Sequence, residues 1–270
     1  VMEYGNIRKN GLIAINLKGD DELIEYPPRF FVKHPTFDNF AELFKAAKKE
    51  CDVLIDNANV SPTNGIVKLA EKYPNEVEHL FRNVLFAEEN GNIDLKQEHM
   101  EQFLGGIESL RQAEFPRFYK YKQDRHAASC YMAFVDPEHN FIYRFSEAEE
   151  LANNIEFGID IGAGENFSLK NYYELCDTVV EAFKEHPTLL EKYNELIHSG
   201  PFYDDQSLHL LAFDFMYCAR AYNLYDGISH ISKHERIKLQ KYSYIIINVI
   251  YNNIFTLLNI IKYIIIINNF

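Results

Sequence analysis

Between Pro35 and Gly227 the apolar residues recur at spacings of three and four, and prolines and glycines interrupt that recurrence about once per helix length. This period lines apolar side chains along one face of an α-helix, and a chain that repeats it must pack helix against helix. In TFDNFAELFKAAKKECDVLIDNA the face is Phe37, Phe40, Leu43, Phe44 and Ala47, behind a capping Thr36. SPTNGIVKLAEKY and PNEVEHLFRNVLFAEENG read as two short helices, divided at Pro74 and stopped at Gly91. DLKQEHMEQFLGGIESLRQAEF places Leu95, Met100, Phe103, Leu104, Ile107 and Leu110 on one face before Pro116 ends it, and HAASCYMAFV reads as a buried helix of small residues. SEAEELANNIEFG carries a capping box from Ser146 to Glu149 and stops at Gly158. Further helices open at Ser168 and Pro187, and DQSLHLLAFDFMYCARAYNLYDG gives the last, ending at Gly227.

One stretch breaks the period. DPEHNFIYRF leads from an Asp-Pro turn into the aromatic run Phe141 to Phe145, which reads as a strand. The expected fold is therefore mainly α: a compact multi-helix domain over residues 35–228 with a minor β-hairpin, preceded by a short β-hairpin segment over residues 1–28 and followed by a low-complexity tail over residues 229–270.

The 270 residues carry 27 Lys and Arg against 40 Asp and Glu, a formal net charge of -13. Such a chain repels a polyanion unless basic groups gather locally, which excludes a general DNA-coating role. Cys51, Cys130, Cys176 and Cys218 are scattered without a C-x-x-C pair, so reduced thiols and a cytoplasmic location are expected. VMEYGNIRKNG offers no apolar segment of the kind a secretory signal needs.

At the N-terminus, LIAINL reads as a short strand and KGDDE as the turn into ELIEY. With Arg8, Gly11, the alternating Ile13, Ala14, Ile15 and Leu17, and the acidic turn at Asp20 and Asp21, NIRKNGLIAINLKGDDELI resembles one repeat of the C-terminal DNA-wrapping β-pinwheel of the DNA gyrase A and topoisomerase IV family. The resemblance implies phosphate contacts for Arg8, Lys9 and Lys18 on a basic rim, and a fragment of a DNA topoisomerase is one reading of it. A single repeat cannot close a pinwheel. HAASCYMAFVDPEHNFIYRF resembles helical modules attached to bacterial restriction and DNA-defence proteins, which implies a protein partner in a DNA-processing complex.

The tail KYSYIIINVIYNNIFTLLNIIKYIIIINNF consists, apart from Ser243, Val249 and Thr256, of residues with codons made only of A and T. It reads as translated AT-rich spacer. A tail anchor is the rival reading, with Lys233, Arg236, Lys238 and Lys241 ahead of it, but Asn248, Asn252, Asn253, Asn259 and Lys262 are costly in lipid. Membrane association is expected only if this tail is an anchor.

Four stretches could carry chemistry. GIDIGAGENFSLK joins Gly158, Gly162 and Gly164 to a helix start and suits a phosphate cradle, yet Asp160 and Glu165 sit where an anion would bind, so a structural connector or a cation site competes. Asp205 and His209 are four apart, with Asp214 beyond, a spacing that a metal-dependent hydrolase could use; capping by Asp204 or Asp205 is the plainer use. Cys130 and His126 are likewise four apart. In FPRFYKYKQDRH the cations Arg117, Lys120, Lys122 and Arg125 alternate with Phe118, Tyr119 and Tyr121, and such interleaving suits single-stranded nucleic acid, whose bases stack on rings while phosphates meet cations. The competing reading has Phe118 and Tyr121 packed inward beneath cations that reach into water. The expected function is a non-enzymatic binding module for nucleic acid through residues 117–125, without a cofactor; a metal-dependent hydrolase and a protein-interaction domain are the alternatives.

Overall fold

Phe81 has no exposed surface and meets five aromatic rings: Phe103 at 4.8 Å, Phe40 and Tyr131 at 5.3 Å, Phe44 at 5.5 Å and Phe86 at 5.8 Å between centroids. The computed structural model describes residues 40–48, 52–56, 59–199 and 203–227. The expected gyrase-like hairpin with Arg8, Lys9 and Lys18, the Thr36 cap and the tail from residue 229 lie outside these residues. Within the span expected as one helical domain, the described chain forms two compact units: the first runs to Tyr143 and includes Ser199–Ser207, and the second comprises Arg144–His198 and the chain from Leu208.

The first unit gathers helices around Phe81. α1 (Phe40–Lys48) buries Phe40, Ala41, Leu43, Phe44 and Ala47, the face its spacing predicts. After the short α2 (Asp52–Ile55), α3 (Pro62–Lys72) begins at a proline, whose missing N–H costs nothing in a first turn. The Asp56 carboxylate caps α3, accepting from Thr63 N at 3.0 Å, Thr63 Oγ1 at 2.5 Å and Ser61 Oγ at 3.0 Å. α4 (Pro74–His79) runs into a π-helix, Leu80–Leu85, in which Phe86 N donates to Phe81 O at 2.9 Å.

α5 (Ile93–Glu114) starts at Asn92, whose side chain accepts from the N–H groups of Asp94 and Leu95. A Cβ at Gly106 would lie 2.5 Å from Leu80 Cδ2, so this glycine lets α5 cross the π-helix closely. The buried seam of α5 is Lys96, Met100, Phe103, Ile107 and Arg111; Leu95, Leu104 and Leu110 of the expected face are only partly buried. α6 (Arg125–Val135) is capped by Asp124 and buries every residue from Ala127 to Phe134.

No strand occurs among the described residues, so the aromatic strand expected at Phe141–Phe145 does not form. Phe141, Ile142 and Tyr143 are all buried, whereas a half-exposed strand would alternate. Their backbone pairs with side chains: Tyr143 N donates to Ser129 Oγ at 2.9 Å, and Tyr143 O lies 2.8 Å from His126 Nδ1. Phe145 already belongs to the next helix.

In the second unit, α7 (Phe145–Asn154), α8 (Leu169–Lys184), α9 (Pro187–His198) and α10 (His209–Ala221) pack together. α7 starts one residue ahead of Ser146, so the expected capping box falls inside the helix, and the chain leaves it through Glu156 at φ 55° instead of Gly158. Ser168 caps α8 as expected, accepting from Asn171 N at 3.2 Å. Tyr172, Leu175, Val179 and Phe183 of α8 are buried, and Phe183 meets Phe215 of α10 edge-on at 5.4 Å. Arg220 on α10 ties back to α7 through Glu147 at 3.3 Å and Glu150 at 3.0 Å.

Removing the central ring should leave a cavity that its five aromatic neighbours cannot close. Phe81→Ala is expected to destabilise the chain by about 3–5 kcal/mol in urea unfolding, and Leu104→Ala, on the partly exposed flank of α5, by about 1 kcal/mol. Equal losses would contradict the observed seam.

Candidate nucleic-acid interface

α5 ends at Glu114 because Pro116 follows; the residue before a proline is pushed out of the helical region, and Phe115 has φ -128° and ψ 55°. The chain then forms a connector, Phe115–Asp124, with a 3₁₀ turn at Tyr119–Tyr121. Arg111 holds its start. This side chain lies in the buried seam, and its Nη1 donates to the carbonyls of Phe115 at 3.0 Å and Phe118 at 3.3 Å. Its Nε and Nη2 grip both oxygens of Glu108 at 2.8 Å, a bidentate pairing that satisfies the rest of the guanidinium.

Three further contacts seat the connector on α3. Ser61 N donates to Lys120 O at 2.8 Å. The buried Gln123 amide donates to Pro62 O at 2.8 Å and Tyr121 O at 3.1 Å, and accepts from the Tyr131 hydroxyl at 3.0 Å. A Cβ on Gly65 would come within 2.7 Å of Tyr121 Cβ and O, so only glycine allows this approach.

The outer surface is aromatic and basic. Tyr119 is 72% exposed and Phe118 45%, while Arg117, Lys120 and Lys122 are also exposed. Tyr121 is half-buried beneath them, with its ring 4.5 Å from Phe118 and 5.4 Å from Phe115. Of the two rings expected to pack inward, Tyr121 does so and Phe118 remains exposed. Arg125 is drawn away from the patch, since its Nε pairs with Glu101 of α5 at 2.6 Å. The nearby cations of α3 carry partners, Lys68 with Glu71 at 2.8 Å and Lys72 with Glu114.

The other sequence candidates fare differently. Asp205 is buried in the segment ahead of α10, which starts at His209, so the two do not share a helical face as their spacing suggested. Among the described residues no group of three His, Cys, Asp or Glu side chains could hold a metal ion. In the glycine loop, Gly162 N donates to Asp160 Oδ1 and Ser168 N to Ile161 O, while Asn166 N and Phe167 N close the 3₁₀ turn Gly164–Asn166. Those four N–H groups are therefore already used, and Glu165 is exposed on that turn. His126 faces carbonyls with both ring nitrogens, Tyr143 O at 2.8 Å and Leu54 O at 3.1 Å, and Cys130 lies fully buried 3.7 Å from Nδ1. Burial also pushes the Cys218 thiol up to about 12 and raises Cys176.

Lys96 and Arg111 are the buried cations that periodicity missed. Lys96 Nζ donates to Asn140 Oδ1 at 2.8 Å and His139 O at 3.0 Å, with Glu89 at 3.6 Å. Burial lowers the Lys96 pKa and raises that of Glu89, outweighing their attraction. A cation at the end of an apolar seam, five residues before the proline that stops the helix, was the available signal for Arg111.

The hydrogen bond from Arg111 is the main cause that holds the Glu108 carboxyl down to about 2, against an ordinary 4.5. A depressed folded value means that the pairing stabilises fully above the unfolded value and is lost as pH falls through the folded one. Amide protection at Phe118–Lys122, taken relative to the intrinsic exchange rate at each pH and followed by mass spectrometry, is expected to fall as pH drops from 4.5 towards 2, and Glu108→Gln should show the lowered protection at neutral pH. Comparison with protein-family models, curated proteins and solved structures finds no match for this chain.

Proposed function

We propose that this chain is a non-enzymatic binding module that engages single-stranded nucleic acid through the Phe115–Asp124 connector. The observation that carries the reading is an exposed ring pair, Phe118 and Tyr119, set among Arg117, Lys120 and Lys122 on a backbone fixed from behind. Bases stack on exposed rings for about 1–3 kcal/mol each without regard to sequence, while the three cations meet phosphates. Because Arg111, Gln123 and Gly65 already hold the connector, little ordering cost remains for binding. Arg125, paired with Glu101, stands outside this contact.

The net charge of -13 confines this contact to the patch. Few phosphates are then engaged, so affinity should fall only modestly with salt. With three phosphate contacts on a single strand, log K is expected to fall against log salt with a slope of about -2. A DNA-processing assembly is the setting that such a small, salt-sensitive contact would suit.

Fluorescence anisotropy with a labelled single-stranded oligonucleotide at two salt concentrations tests this reading. Tyr119→Ala is expected to weaken binding about tenfold, and Arg117→Ala combined with Lys120→Ala and Lys122→Ala to remove it. No binding at low salt, or binding indifferent to both variants, would sink the proposal.

A further inference from the structure

In the second unit, the stripe Phe145, Glu149 and Ala152 of α7 lines one side of an open cleft of about 220 Å³ whose other side is the loop from Phe157 to Ala163. Phe145 is 38% exposed there, a large ring left in contact with water. Phe157 and Ile159 extend the apolar lining. Among the described residues, the charged ones that line the cleft are Glu149 and Asp160, both exposed, and none is a cation.

This combination excludes an anion. A phosphate or carboxylate would meet two acidic residues, and the N–H of Gly162 already donates to Asp160. Gly162 sits at φ +70° with its Cβ position only 1.9 Å from Asn166 O, so the loop is folded tightly on itself and leaves the cleft wall firm. The volume lies below the range of about 300–1,000 Å³ for drug-sized pockets, so the occupant is small. A short apolar stem bearing a positive charge fits on every count. Its methylenes would lie against the rings and its charge would face the carboxylates, with ring faces adding cation–π attraction.

We propose that this cleft binds a primary alkylammonium, with the stem against Phe145 and Phe157 and the ammonium held by Glu149 and Asp160. The site lies wholly within the second unit and stands independently of the nucleic-acid reading. The same chemistry is offered by a free aliphatic diamine and by the side chain of a lysine on another protein.

The chain contains no tryptophan, so Phe145→Trp places a single fluorescent reporter in the cleft wall. n-Butylammonium is expected to give a saturable emission change with a dissociation constant on the order of a millimolar, and n-butanoate and n-butanol to give none. Adding Glu149→Gln should weaken butylammonium about tenfold, and Glu149→Lys should abolish the response, with circular dichroism unchanged because Glu149 is exposed. In the unmodified chain the amide resonances of Gly158 and Gly162 should move with butylammonium alone. Tighter binding of 1,5-diaminopentane than of Nα-acetyl-lysine methylamide would assign the site to free diamines, and the reverse order to a lysine side chain. Equal responses to butylammonium and butanoate, or a Glu149→Gln variant that binds as its parent does, would overturn the proposal.

Discussion

The seam of α5 places two cations in line with three apolar side chains, and burial obliges each cation to find oxygen atoms. A guanidinium or ammonium withdrawn from water without partners is costly enough to undo much of a domain's stability. Met100, Phe103 and Ile107 face inward with no exposure above 1%, and Phe103 reaches the Phe81 ring. At one end of the seam Lys96 recruits the chain after α6, at His139 and Asn140; at the other, Arg111 recruits the chain before it, at Phe115 and Phe118. One helix face thereby fixes both segments that flank α6. The packing of the first unit and the shape of its connector have a common origin.

Much of the helical content was legible because apolar period and punctuation agree. Pro62, Pro74 and Pro187 start helices, Pro116 follows the end of one, and Ser168 caps as its position implies. Errors arose where side chains decide what the backbone does. Phe141–Phe145 has strand composition, but Ser129 and His126 supply the hydrogen bonds that a second strand would otherwise give. On α5 the expected face ran through three leucines, whereas the true seam is rotated to bring in Lys96 and Arg111, a choice visible only once their oxygen partners are known.

The basic patch was legible as composition and not as geometry. Alternation of ring and cation could not separate Phe118, exposed, from Tyr121, half inside, because that division depends on the close approach at Gly65, more than fifty residues away in sequence. Arg125 shares the alternation but starts a helix and turns to Glu101. The spacing of Asp205 and His209 misled for a related reason: a four-residue interval means a shared face only inside a helix, and α10 begins with the second of the pair.

Exposed rings in water tend to pair with other exposed rings, and Phe118 with Tyr119 would be such a liability on a neutral surface. Here Arg117, Lys120 and Lys122 surround them with like charge, so two copies of the patch repel each other. The remainder of the molecule is acidic, however, and a basic patch on one copy is complementary to the helix faces of the next. That contact joins unlike faces, so it forms without the two patches meeting. Concentrated protein at low ionic strength would therefore screen its own patch, and added salt would release it even as the same salt weakens the hold on phosphate.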